Sequence, residues 1–476
     1  MSVPVVTPNE LDGALGVLPA GLKPIVIVGA ADAGPLDTPA SFARTKDVVA
    51  NFVGGPLVEA AAYVIKNTGR PVVLVRTGNS VAATNETIDV TGVTGTSVVT
   101  DSGTVANDDY ELYFKVIAGG TVGTEGITYQ ESTDGGRTLS AVKALGTANS
   151  VVIGGTGAGF DFAAGTLTAG AVVEMRCNAP QWNATELGTA LQAAKASAID
   201  WALVLIVGDI DATDFDTIGT EFSSGNYTWV GSVRDPDPGE TEAAYLSSLT
   251  TAFASKANNF GVVCAGAAKI TSGLSFEQHR KPIATVVASL LSKVSEEIDI
   301  AAIDLGSLPG VAIRDVNGNA DEHDEDINPG LDDARFTVLR THKGYGGVYV
   351  NNPRIFSASG SDFEFAQHRR TINLAKVALT TYFKRRLSKP ILVDKDTGYI
   401  LESEALEIES GATAIMRAVL TAKPKASAVS FALSRLDNLL STKTLNGQAG
   451  VTPLAYPKQI SFDIGFTNPA LALSAV

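Results

Sequence analysis

Two glycine-rich turns, one acidic segment and one basic stretch are the places in this chain where residue types and spacing could do chemistry. Gly29-Ala30-Ala31-Asp32-Ala33-Gly34 follows a buried-strand run, Pro24 to Gly29, and has the outline of a phosphate-cradling turn. Ala31 replaces the middle glycine of G-x-G-x-x-G, and Pro35, Thr38 and Pro39 keep a helix from opening at Gly34, so no helix N-terminus would face a phosphate. Gly154 to Gly159 also follows an apolar run, but Phe160-Asp161-Phe162 does not start a helix, and a loop of β structure is expected. Asp315, Asn317, Asn319, Asp321 and Asp326 approach the ligand spacing of a calcium loop. Ala320 stands at the turn position that needs glycine and Asp326 replaces the bidentate glutamate, which predicts a solvated acidic loop and no metal centre. The histidines, His279, His323, His342 and His368, are scattered, and neither H-E-x-x-H, G-x-S-x-G nor a P-loop is present. No nucleophile with its base is proposed locally, so neither catalysis nor a cofactor is expected.

The basic stretch is different. Arg369, Arg370, Lys376, Lys384, Arg385 and Arg386 fall within a predicted helix from about Phe363 to Leu387, in an otherwise acidic chain. They form either a solvated face, with cations favoured near the helix C-terminus, or an electrostatic contact with a negative partner surface. The acidic loop and Glu402, Glu404, Glu407 and Glu409 of a neighbouring copy are candidates for that surface. A second candidate contact closes the chain: from Gln459 to Phe466, large apolar residues (Ile460, Phe462, Ile464, Phe466) take every second position, the mark of a strand with one buried face. It follows a turn-rich stretch (Asn446, Gly447, Gly450, Pro453, Pro457) and precedes a loose tail, so residues 456–476 read as an arm able to complete a neighbour's sheet. Ser132-Thr133-Asp134-Gly135-Gly136-Arg137-Thr138 resembles an Asp-box hairpin with Leu139 in place of tryptophan, and is read as a structural turn.

These features need several domains to position them, and 476 residues exceed the size at which one core keeps growing. Hydrophobic residues make up 45%, and no apolar run nears the roughly 18 residues that span a bilayer, so a soluble protein without membrane insertion is expected. The N-terminus lacks the basic and apolar regions of a secretory signal, which predicts cytoplasmic synthesis and assembly. Thirty-six basic against 51 acidic residues give a net charge of -15, which disfavours non-specific binding to nucleic acid. Cys177 and Cys264 are too few for a disulfide framework and read as small buried hydrophobes.

The element pattern is α/β and α+β, in several domains. Residues 1–23 read as an extended arm. Strand Pro24 to Gly29, a helix from Lys46 to Asn67 broken near Gly54-Gly55-Pro56, and strand Pro71 to Arg76 make a parallel α/β unit. From 79 to 180 the chain is rich in Gly, Thr and Val, with short strands at Thr87–Thr91, Tyr110–Ile117, Gly126–Glu131, Ser150–Ile153 and Val172–Arg176, the pattern of an all-β insertion. The α/β pattern resumes over 181–330 with strands Trp201–Val207 and Phe260–Ala265, and with a helix whose apolar face runs from Ile283 to Ile298. A C-terminal α+β domain is expected over 331–455, with a helix at Ala405–Leu420 and a strand at Ala426–Leu433.

Taken together these segments resemble the contractile tail sheath family of myophages, R-type bacteriocins and related injection systems. The resemblance is carried by Ile25-Val26-Ile27-Val28-Gly29, Gly34-Pro35, Phe52-Val53-Gly54-Gly55, Asn67-Thr68-Gly69-Arg70 and the strand Pro71 to Arg76. It continues in Gly346-Gly347-Val348-Tyr349, Arg354, Arg369-Arg370 and the closing Ile460 to Phe466. The β insertion and Thr68, where the family often has glycine, are departures. The resemblance implies a non-catalytic subunit of a virion tail, polymerising as stacked hexameric rings around a tail tube and contracting to drive it through the host envelope. It also implies an inner C-terminal domain, an outward-facing insertion, arms that add strands to neighbouring subunits, and baseplate and tail terminator proteins as partners. Two other readings stay open: a β-rich adhesin or carbohydrate-binding virion protein, and an α/β enzyme.

Overall fold

The computed structural model describes residues 23–92, 95–237, 239–314 and 322–466. Residues 1–22 of the expected N-terminal arm, the tail 467–476, and Asp315 to Asp321 of the calcium-like spacing lie outside the described residues. Met1–Val377 forms one compact unit and Ala378–Val476 another, the division falling inside the helix Ala366–Lys384.

One strand, Ile25–Gly29, organises the first unit. It lies between two parallel neighbours, Val72–Arg76 and Leu203–Asp209, with Ile25 level with both Val72 and Leu203. Thr228–Ser232 and Gly261–Cys264 extend the sheet in parallel beyond Leu203–Asp209, and antiparallel Ala40–Phe42 closes the other edge. Because successive side chains point to opposite faces, a strand apolar at every position needs cover on both. Ile25 and Ile27 join one core with the helices Pro56–Thr68 and Ala284–Lys293. Val26 and Val28 join another with Ala184–Ala196, Ala212–Glu221 and Glu242–Ala252. The helices of this second face each begin at a side-chain cap, Asn183, Asp211 and Thr241, which accepts hydrogen bonds from first-turn amides.

The turn after Ile25–Gly29 is closed by hydrogen bonds within the chain. The Leu57 amide at the start of helix Pro56–Thr68 donates to the Ala30 carbonyl at 3.0 Å, so the helix N-terminus is met by the chain's own backbone. Gly55 permits this approach: its φ is +100°, and a Cβ would lie 3.1 Å from the Ala31 Cα. Arg76 fixes the same turn, donating to the carbonyls of Ala31 (2.9 Å) and Gly34 (2.7 Å).

Residues 84–178 leave the C-terminal end of Val72–Arg76, build their own antiparallel sheets, and return before Ala184–Ala196. In Tyr110–Ala118 the buried residues are Leu112, Phe114 and Val116, every second one, and Phe114 packs on Tyr129 and Phe162 with ring centroids 4.7 and 5.0 Å apart. The Asp-box-like turn is closed internally: Ser132 Oγ donates to Asp134 Oδ1, which also accepts from the Thr138 amide at 2.8 Å. Gly154 to Gly159 is the bend of a hairpin between Ser150–Val152 and Gly159–Phe162.

Two sequence expectations shift. Residues 331–365, expected with the last domain, pack on the central sheet: Thr337 bridges to Cys264, and Phe336 and Phe356 belong to the second-face core. The turn-rich stretch before the terminal arm holds a strand, Gly447–Thr452, paired antiparallel with Ala428–Leu433. Its glycines hide it in the sequence, since pairing with a neighbour, not side-chain burial, defines it. In the second unit this pair meets helix Glu402–Met416 around a small core of Ile400, Ala405, Ile408 and Leu433. Cys177 and Cys264 are buried and free.

Replacing Ile27 by Ala should lower stability by about 2 to 5 kcal/mol in denaturant titration, the cost of a core cavity. Ile117→Ala, at a half-open position of the β-rich region, should stay within about 0.5 kcal/mol.

Candidate assembly surfaces and a buried charge network

Residues 459–466 form no strand and make no pairing among the described residues. Ile460, Phe462 and Ile464 are 76%, 78% and 90% exposed, and Phe466 is fully exposed. An apolar alternation left bare in this way has no core of its own.

The six cations of the basic helix do not act as one face. Arg369 is buried, its guanidinium 4.0 Å above the Phe260 ring and bonded to Asn373 Oδ1 at 2.7 Å. Arg370 caps the end of helix Ala284–Lys293, donating to the carbonyls of Leu291 (2.8 Å), Val294 (2.9 Å) and Ser295 (3.3 Å). Arg70 supports the same end through the Ser292 carbonyl at 2.6 Å, so the apolar stretch expected to run helically to Ile298 stops at Lys293. Lys376 donates to the Gly225 carbonyl at 2.7 Å. Arg386 pairs with Glu407 at 2.7 Å, while Lys384 and Arg385 are exposed and have no ion-pair partner among the described residues. Two of the acidic candidates are also engaged within the second unit, since Glu402 and Glu409 clamp Arg435 from both sides at 2.6 Å.

The described part of the acidic segment is not a solvated loop. Glu322, Asp324, Glu325 and Asp332 are buried; Glu322, Asp324 and Asp332 each lie beside a cation from outside the segment, and Glu325 beside His323 within it. Asp332 holds Arg354 through two bonds of 3.0 and 2.9 Å, and Asp324 holds Arg314 at 2.9 Å. His323 lies between Glu242 (2.8 Å) and Glu325 (2.9 Å). Burial opposes its charge, but hydrogen bonds to both carboxylates outweigh that and raise it to about 9. Pairing lets charge enter an interior that would reject it singly.

A larger network was not visible in the sequence. The strand Gln278–Pro282 faces the β-rich region. Lys281 meets Asp108 at 2.5 Å, Arg280 meets Asp235 and Glu322 at 2.9 Å each, and on the paired strand Lys269 meets Glu111. Asp108, Glu111, Asp235, Arg280 and Lys281 line a cleft of 290 Å³ beyond the C-terminal ends of the parallel strands. No local signal could have found it, because partners come from positions 42 to 173 residues apart. Among the described residues no group of three or more His, Cys, Asp and Glu side chains is arranged to hold a metal ion.

Arg370→Met should destabilise the first unit by about 1 to 3 kcal/mol, because it strips buried carbonyls of their donor; Lys384→Ala should change stability by less than about 0.5 kcal/mol. The raised His323 sets a sign for pH. Its stabilisation is full below its ordinary value near 6.5 and is lost as pH rises through about 9. Melting temperatures measured from neutral pH to about pH 10 should therefore fall more steeply for the native chain than for His323→Gln.

The family model described as DUF2586, N-terminal domain, matches residues 3–354. No match to the chain is found among curated proteins. A chain in the cryo-EM structure of the anti-feeding prophage (AFP) baseplate, 6-fold symmetrised, shares its fold at 10% identity and a TM-score of 0.51, covering 98% of this chain and 100% of that one. A chain of the PVC sheath complex of an extracellular contractile injection system, in the contracted state, does so at 11% identity and a TM-score of 0.52, covering 98% of each. A third, from the AFP baseplate in the contracted state, gives 12%, 0.52 and 98% of each. The resemblance read in the sequence thus holds at the level of fold, which is that of sheath proteins of contractile injection systems. With well over half of its length matched by the family model, the chain belongs to the DUF2586 N-terminal domain family.

Proposed function

We propose that this protein is the structural subunit of a contractile tail sheath. Copies polymerise as stacked hexameric rings around a tail tube, and contraction drives the tube through the envelope of a host cell. The observation that carries this reading is the likeness, over 98% of the chain, to a protein of a sheath complex in its contracted state. The role is mechanical and not catalytic. In this reading the partners are further copies, the tube, the baseplate and the tail terminator, in a virion tail assembled in the host cytoplasm. Nucleic acid is not a partner, in keeping with the net charge of -15, and no helix among the described residues is long and apolar enough to cross a membrane.

The exposed row Ile460, Phe462, Ile464 and Phe466 supports strand donation to a neighbour. A complementary feature sits in the second unit, whose sheet has only Ala428–Leu433 and Gly447–Thr452, with both outer edges unpaired among the described residues. A lone two-stranded sheet is marginal in water, and a donated strand supplies it with main-chain hydrogen bonds that tolerate rotation of the donor's other domains. The electrostatic contact narrows to Lys384 and Arg385, the two of the six cations with no hydrogen-bond or ion-pair partner among the described residues.

Deleting residues 459–476 should leave a folded subunit that gives no hollow tubes in negative-stain microscopy, and normal sheaths from that chain would refute the arm assignment. The double change Lys384→Glu and Arg385→Glu should impair tube formation with an unaltered melting temperature; unchanged assembly would put both on an idle face.

A further inference from the structure

The β-rich region, residues 84–178, keeps its own apolar core around Phe114, separate from the two cores of the α/β body. Two chain crossings, residues 77–83 and 179–183, link it to that body. The contact between them is lined with ionisable groups. Lys269, Arg280 and Lys281 face Asp108, Asp109 and Glu111 from the β-rich side, and Asp235 and Glu322 from the body. In these contacts five carboxylates share three cations. Arg176 reaches Glu111 only at 3.9 Å, and the nearby Glu59, Glu86 and Asp209 add to the acidic excess. Buried His279 adds no compensating charge at neutral pH: desolvation holds it below its ordinary value, and its Nδ1 contacts the Thr133 carbonyl. Two carboxylate oxygens that line the cleft, Asp108 Oδ2 and Asp235 Oδ1, are buried and have no hydrogen-bond partner among the described residues.

We propose that this joint is proton-linked: with protons on Asp108, Asp209 and Glu322 the β-rich region is fastened to the α/β body, and their ionisation loosens it. A buried carboxylate with an unpartnered oxygen is costly, whereas the neutral acid removes that cost and the repulsion of its neighbours. Each group is held at about 7. For Asp108 burial outweighs the opposing Lys281; for Asp209 burial acts together with Asp235 and Asp109; for Glu322 burial outweighs Arg280 and Lys269. These values lie above the ordinary carboxylate range, so the closed joint binds more protons than the open one. Its contribution is full below about pH 4 and is lost as pH rises through about 7, the released protons passing to solvent.

Hydrogen exchange of the full chain, corrected for intrinsic rates, tests this at about pH 5.5 and about pH 8. Protection of amides in Tyr110–Ala118 and Gln278–Pro282 should fall by about tenfold or more at the higher pH, while Val26 to Val28 keep theirs. The double variant Asp108→Asn with Glu322→Gln should flatten this response, and Asp209→Asn alone should reduce it if the double variant does not fold. Equal corrected protection at both pH values, or a pH response unchanged in the variants, would overturn the proposal.

Discussion

The burial of Ile25–Gly29 on both faces is the constraint from which the first unit follows. A strand with no polar side cannot lie at a surface, so the chain must supply two helical layers, and it does so from segments before and after the β-rich region. This accounts for residues 84–178 standing apart: they leave from one strand of a sheet that is completed by three strands later in the chain, and they must find their own core. It also accounts for the turn at Ala30 to Gly34, where the Leu57 amide at the helix N-terminus bonds the Ala30 carbonyl and Arg76 holds the carbonyls of Ala31 and Gly34.

Charge does the joining where apolar surface does not. The chain is acidic, and several of its carboxylates are inside, paired with arginine, lysine or the His323 imidazole. Buried pairs of this kind add little net stability but are specific, because each demands its partner at a fixed position. The same economy explains the basic helix. Arg369 and Arg370, which look like a surface patch in the sequence, are consumed in stacking and in capping a helix end, and only the last turns present free charge.

The second unit is small, with a two-stranded sheet and a modest core, and its last described segment exposes four large apolar side chains. Both features are understandable in a subunit completed by its neighbours, the role proposed for this family member. A protein working alone would gain nothing from leaving Phe462 and Phe466 in water.

Period-two and helical spacing, a local property, was enough to mark the strands Ile25–Gly29 and Val72–Arg76, the break between two helices at Gly54-Gly55-Pro56, the alternation in Tyr110–Ala118 and the bare row at Ile460 to Phe466. The order of those segments was enough to bring the sheath resemblance into view. Spacing was silent on Gly447–Thr452, which exists because Ala428–Leu433 pairs with it, and on the attachment of residues 331–365 to the central sheet. Above all it misjudged charge. Residues 322–332 look solvated in the sequence, and the fold buries Glu322, Asp324 and Asp332 against Arg280, Arg314 and Arg354, which lie 42, 10 and 22 residues away. Hydrophobic pattern is written locally, since it depends on which way a side chain points from its own backbone; charge pairing depends on distance in space, and only the tertiary structure sets that.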